Sequence, residues 1–234
     1  MEKRGFSNTA QVTVFVIIAI VLIAAGGMAY YFTKNTSTTN NYFSQSNVKP
    51  GFDNIKSSIQ GCVDIACSDS LELIGIQGGY YEKPDKYLDL NWAFIPYYFY
   101  DGESLVPQNS VVESQLGLDV DKNLGTCINA INSGDFSIKH TDPKTSVSIK
   151  SGEVSFSTDG SVSISKEGNT VKLELKDIPV IKKSKLYEIL EIARYISDSH
   201  KENPNSICLN CIANMAGEKD LYVTSLSLNN SYCI

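Results

Sequence analysis

Histidine is scarce in this chain, which holds only His140 and His200. Neither stands in H-E-x-x-H spacing, so a zincin-type helix is excluded. A Ser/His/Asp triad would have to use one of these two residues without any local signature. The nucleophile elbow G-x-S-x-G, the P-loop and the dinucleotide fingerprint are missing as well. Basic residues are outnumbered, 20 Lys and Arg against 26 Asp and Glu, for a net charge of −6. No basic stripe interrupts that balance, so nucleic-acid binding has no electrostatic footprint. No segment repeats. These absences point to a non-enzymatic protein with no cofactor and no nucleic-acid partner.

What is present is one long apolar run, Val14 to Phe32, with no charge in it. As a helix it would span roughly 28 Å, close to the ~30 Å hydrocarbon core of a bilayer. Tyr30, Tyr31 and Phe32 supply an aromatic belt at its far end. The run exceeds a signal-peptide core, which favours an uncleaved anchor, although Gly27-Met28-Ala29 would serve as a cleavage site. Lys3 and Arg4 precede the run and only Lys34 follows closely, so the N-terminus is expected in the cytoplasm. The implied organisation is a cytoplasmic N-terminus at 1–10, a transmembrane signal anchor at 11–33, a flexible Ser/Thr/Asn tether at 34–50 ending at Lys49-Pro50-Gly51, and an extracytoplasmic domain at 51–234. The tether is too polar to bury a core. The first partner implied is the lipid bilayer. Six cysteines, an even number, and two sequons at Asn35 and Asn229 suit the exterior, the sequons being glycosylation candidates.

Within the domain, Phe52, Ile55, Ile59, Cys62, Val63 and Ala66 recur at helical spacing, with Gly75 to Gly79 as the stop. Leu88, Leu90, Trp92 and Phe94 alternate with polar neighbours and predict one strand, Trp92 and Phe94 sharing its inner face. A bend follows at Pro96. A helix with Gly117 and Gly125 inside it is expected over 111–131. Four alternating groups, Val147/Ile149, Val154/Phe156, Val162/Ile164 and Val171/Leu173/Leu175, are separated by turn signals at 151–152, 159–160 and 168–169. They predict an antiparallel meander with one apolar and one serine-rich face. Leu186, Ile189, Leu190, Ala193 and Ile196 form a further helical stripe opposite Glu188, Glu191 and Asp198, with Ser184 as its N-cap. A short helix carries Cys208, Cys211, Ile212 and Met215, and Leu221–Leu228 closes as a strand. The fold class is α+β, with helices packed on an antiparallel meander.

Cys62 and Cys127 both lie on apolar helix stripes, which makes a helix-to-helix disulfide between them the first choice; Cys67 and Cys233 would pair by default. Cys208-Leu-Asn-Cys211 is the one C-x-x-C. It reads as a structural bridge or buried thiols more readily than as a redox pair, because Asn203-Pro-Asn-Ser206 precedes it where a thioredoxin-like motif follows a strand. Two thiols without a histidine in ligand spacing do not make a zinc site. Asp119-Val-Asp121-Lys-Asn123 opens like a calcium loop but has Leu124 at the turn glycine and Ala130 at the closing acid, so it reads as a charged helix face. Nine aromatics cluster between Tyr80 and Tyr100. In a strand Tyr97, Tyr98, Phe99 and Tyr100 cannot all face inward, so the exposed members of this run are the binding candidates.

Lys3-Arg4-Gly5 followed by Gln11-Val-Thr-Val-Phe15 resembles the pilin-like (class III) leaders of archaeal surface proteins. That resemblance implies cleavage near Ala10-Gln11. The glutamate common within such mature helices is replaced here near Phe15, and the Thr33–Asn47 tract would interrupt a pilin spine. Leu73-Ile-Gly-Ile-Gln-Gly-Gly-Tyr80, Ile95-Pro-Tyr-Tyr98 and Asn203-Pro with Ile207-Cys-Leu-Asn-Cys211 resemble a group of uncharacterised archaeal single-pass surface proteins. This second resemblance implies location and architecture and carries no activity. The expectation is a membrane-anchored extracytoplasmic protein for surface contact or assembly, engaging other surface proteins or itself. A pilin-like filament subunit and an extracytoplasmic thiol-disulfide oxidoreductase are the alternatives.

Overall fold

A computed structural model describes residues 49–224, 226–228 and 231–233. The expected anchor, most of the tether and both sequon asparagines, Asn35 and Asn229, lie outside the described residues. Among the described residues no helix is long and apolar enough to cross a membrane.

The first helix, α1 (Lys49–Ile76), buries Phe52, Ile55, Ile59, Cys62, Val63 and Ala66, the stripe that the spacing predicts. It begins before Pro50, so residues 49 and 50, expected in the tether, are helical. Proline fits a first helical turn because the amide hydrogen it lacks would have no partner there. At the other end Gly79 N donates to the Ile74 carbonyl at 2.8 Å, with Gly78 and Gly79 at φ +56° and +87°. That left-handed geometry closes the helix at low cost only with glycine.

Two short hairpins follow: β1 (Tyr87–Asp89) with β2 (Phe94–Pro96), and β3 (Phe99–Tyr100) with β4 (Glu103–Ser104). The single strand expected through Trp92 is therefore a hairpin. Asp89 Oδ1 accepts the Asn91 amide at 2.8 Å, Leu90 N donates to the Ala93 carbonyl, and Asn91 takes φ +69°. This Asx-type turn throws Trp92 outward, 79% exposed, while Phe94 is buried.

The second helix, α2 (Asn109–Ala130), packs on α1 and against β6 (Lys144–Lys150). Its buried side includes Asp119, and the carboxylates of Asp119 and Asp121 each hold one buried oxygen without a hydrogen-bond partner. The expected charged face is thus partly turned inward, because Leu116, Val120 and Leu124 set the helix rotation and carry Asp119 in with them.

The β region holds β5 (Ser137–His140), β6, β7 (Glu153–Asp159), β8 (Ser161–Lys166), β9 (Asn169–Glu174) and β10 (Val180–Lys183). They form two three-stranded antiparallel sheets ordered β10-β7-β6 and β5-β8-β9. The turn at 151–152 is real and the one expected at 168–169 falls one residue earlier, at Glu167-Gly168, but Asp159-Gly160 is not a turn, and β7 does not pair with β8. The segment β5–β6 instead runs as one arm of a bent hairpin against β7–β8. Thr141 stands opposite Ser161 and Lys144 opposite Asp159, so Asp142 and Pro143 together face Gly160. Two residues against one is a β-bulge, and it bends the ribbon between the two sheets. Gly160 sits at φ +137°, and its carbonyl accepts Leu175 N at 2.9 Å.

The third helix, α3 (Leu186–Glu202), buries Leu186, Leu190 and Ile192, but Ile189 is exposed and Glu188 is buried. The expected stripe is rotated because Glu188 is drawn in by donors: Ser151 Oγ at 2.6 Å and Gly152 N at 3.0 Å reach its Oε1. Ser184 Oγ accepts Leu186 N one residue ahead of the cap position. The fourth helix, α4 (Leu209–Glu218), packs Ile212 and Ala216 on Ile192 in a second apolar cluster. Strands β11 (Leu226–Leu228) and β12 (Ser231–Cys233) pair at the end. The expected strand from Leu221 begins later, residues 221–224 being outside regular structure.

Candidate functional site

The glycine turn after α1 sets the position of everything around the aromatic cluster. A Cβ on Gly78 would come within 2.7 Å of the Pro96 ring, so glycine lets β2 close onto the helix end. The Tyr98 hydroxyl then donates to the Gly78 carbonyl at 2.7 Å, and burial pushes its pKa up to about 12. Gln115 Oε1 on α2 accepts both the Tyr81 and Glu82 amides, at 2.9 and 2.8 Å, fixing the segment that leads away. Tyr97 N donates to the Lys86 carbonyl, tying that segment to the β2–β3 linker.

Between these pieces lies a groove of about 560 Å³, lined by Tyr80, Pro84, Asp85, Lys86, Pro96, Tyr97, Tyr100, Asp101, Glu103 and Leu105. The hairpin β3–β4 forms one wall. Its turn is Asp101-Gly102, with φ +50° and +81°, the left-handed pair of a two-residue turn that matches strand twist. Tyr97 and Tyr100 rings lie 5.7 Å apart, and the Lys86 ammonium sits 5.0 Å from the Tyr100 ring centroid. Burial also raises the Tyr80 hydroxyl pKa.

The run Tyr97 to Tyr100 is therefore divided. Tyr97 and Tyr100 line the groove. Tyr98 is held by Gly78, and its carbonyl accepts from Ser197 Oγ at 2.8 Å. Phe99 stacks edge-on against His200 at 4.6 Å. Tyr98 and Phe99 thus secure the hairpin to α1 and α3 and leave the other two on the groove, Tyr97 half-buried and Tyr100 exposed. The Asp101-Gly102 dipeptide was the sequence signal for this hairpin, and alternation alone misses it. Tyr80 and the carboxylates of Asp85, Asp101 and Glu103 join the site only through folding.

The groove offers aromatic faces and carboxylates. Its lining includes no serine, cysteine or histidine. Among the described residues no group of three or more His, Cys, Asp or Glu is placed to hold a metal ion.

Among the described side chains, the cysteines sort into three environments. Cys62 and Cys127 are joined, Cα–Cα 5.6 Å, linking α1 to α2. Cys208 and Cys211 are joined at the start of α4, Cα–Cα 5.2 Å. Cys67, the expected partner of Cys233, is a free thiol in the α1 core. Burial pushes its pKa up to about 12, against the lowering effect of nearby Lys182. The backbone of Cys233 pairs with Leu226 in β12.

Comparison with family models, with curated proteins and with solved structures returns no match. The class that the fold defines is an α+β domain with antiparallel sheets and two cystines.

Proposed function

We propose that this chain is a membrane-anchored extracytoplasmic protein of non-enzymatic type, which makes surface contact through the groove between Tyr80, Tyr97 and Tyr100. The apolar run Val14–Phe32 supports the anchor. The observation that carries the contact reading is that half-buried Tyr97 and exposed Tyr100 line one groove beside three carboxylates. Tyrosine supplies broad, rigid contact area with a polar tip. The charge of Asp85, Asp101 and Glu103 fits a basic segment of a partner surface protein, and the chain's own Lys86 ammonium against the Tyr100 ring supports an aromatic surface that takes cations.

The test uses the full chain reconstituted in vesicles with the domain outward. Lysine- or arginine-bearing peptides are expected to bind, more weakly as salt rises, because screening weakens charge attraction. The double variant Tyr97→Ala with Tyr100→Ala should lose binding by roughly tenfold or more, the loss of about one strong interface contact. Equal binding by this variant, with the fold intact, would end the contact reading. Release of the chain from membranes by salt alone would end the anchor reading. A mature N-terminus at Gln11 would favour the filament subunit.

A further inference from the structure

The contact reading leaves Cys208 and Cys211 without a role. We propose that their disulfide is exchangeable and oxidises a dithiol protein at the cell surface. Three observations carry this, all independent of the groove.

First, the two disulfides differ in setting. Cys62 is buried and its bond closes a separation of 65 residues, whereas Cys208 and Cys211 are both exposed and only 3 apart. A ring that short removes little freedom from the unfolded chain, so it adds little to stability. Exposure lets an attacking thiolate reach the sulfur.

Second, Cys208 occupies the N-cap of the ten-residue helix α4, and its Sγ accepts the Cys211 amide hydrogen at 3.2 Å. A free amide and the positive end of a helix both favour a thiolate at that sulfur. Third, α4 is seated without the bond, since Ile212 and Ala216 pack on Ile192 with Met215 and Leu221 around them. Opening the disulfide leaves the helix, and the donor that stabilises Cys208, in place.

The exchange balances as follows. One partner thiolate attacks Cys208 Sγ, the Cys208–Cys211 bond breaks, and Cys211 leaves as a thiolate. The partner's second thiolate attacks its own sulfur in the mixed disulfide, and Cys208 leaves as the thiolate held by the Cys211 amide. The partner gives up two electrons and two protons and gains an S–S bond; Cys208 and Cys211 take up both.

The full chain is equilibrated in graded mixtures of reduced and oxidised glutathione, alkylated, and read by peptide mass spectrometry. Cys208 and Cys211 are expected to open in mixtures that leave Cys62 and Cys127 joined. Single variants then compare the two sulfurs: Cys208 in Cys211→Ala should attack an aromatic disulfide reagent at pH 7 about threefold faster than Cys211 does in Cys208→Ala. That is the net gain from a thiol pKa lowered by about one unit, once its weaker nucleophilicity is included. Its rate–pH profile should also break at lower pH. Opening of both disulfides together, or coincident pH profiles for the two variants, would overturn the proposal. The thermal midpoint of each variant, expected within a few degrees of the parent chain, separates lost exchange from lost fold.

Discussion

Gly117 on α2 lies directly against Thr145 on β6: a Cβ placed on this glycine would come within 2.6 Å of the Thr145 carbonyl oxygen. The helix and the sheet meet at backbone-to-backbone distance there, which only a residue without a side chain permits.

The consequence is a sign difference between two glycines of one helix. Gly117→Ala gains about 1 kcal/mol of helix propensity but must push a backbone carbonyl aside, at a cost of about 1–3 kcal/mol, so it should destabilise the fold. Gly125→Ala meets nothing nearer than the His140 ring at 3.9 Å and should stabilise the fold by up to about 1 kcal/mol. Urea unfolding midpoints of the two variants check this; a stabilised Gly117→Ala would show that β6 yields freely.

The disulfide between Cys62 and Cys127 staples α1 to α2, the two longest helices among the described residues, across 65 residues of sequence. On the chain-entropy account, a loop of that size is worth about 4 kcal/mol. Replacing both cysteines with alanine should lower stability by about that amount, as measured by denaturant unfolding. Breaking only the Cys208–Cys211 bond should cost far less.

Cys67 is expected to behave as a core residue. With its thiol pKa pushed up to about 12, the fraction present as thiolate near neutral pH is negligible, and no solvent reaches the sulfur. Iodoacetamide should leave Cys67 unmodified in the folded chain and label it within minutes after unfolding. Native-state labelling at pH 8 would mean that α1 opens locally.

The legibility of this fold follows the range of the interactions that set it. The α1 stripe could be read because Phe52 through Ala66 is spaced by the helix itself, and the glycines at 78 and 79 stop it by local geometry. The β region could be read as far as its alternation and two of its turns. The bulge at Gly160 was hidden because Asp159-Gly160 has the composition of a turn, and only pairing across the sheet, with Asp142 and Pro143 opposite, decides otherwise. Trp92 illustrates the same limit: its alternation with Phe94 is real in sequence, and a two-residue Asx contact from Asp89 overrides it. In the candidate site, Tyr97 and Tyr100 belonged to the run singled out by its aromatic density. Which two of the four line the groove depends on Gly78 and His200, both distant in sequence.

Glu188 shows how a charge read as solvent-facing can hold the fold together, and it yields the pH prediction. Burial pushes its carboxyl pKa up, but hydrogen bonds from Ser151, from its own amide and from the Gly152 amide, with the charge of Lys185, outweigh burial and hold it below the usual glutamate range. A pKa depressed on folding means that the unfolded chain binds the proton more readily. The stabilisation is therefore fully present above the unfolded value of about 4.3 and is lost as the pH falls through the lower folded value. In Glu188→Gln the amide oxygen can still accept from Ser151 and Gly152. Its NH₂ group, however, takes the place of Oε2, a buried atom with no partner. At neutral pH that variant should lose about 1.5–3 kcal/mol, the range for hydrogen bonds to a charged group. Stability curves of the two proteins measured from pH 7 downward should converge below about pH 4 as the parent carboxylate is protonated. Parallel curves over that range would show that Glu188 is not the group whose protonation loosens the contact between α3 and the β6–β7 turn.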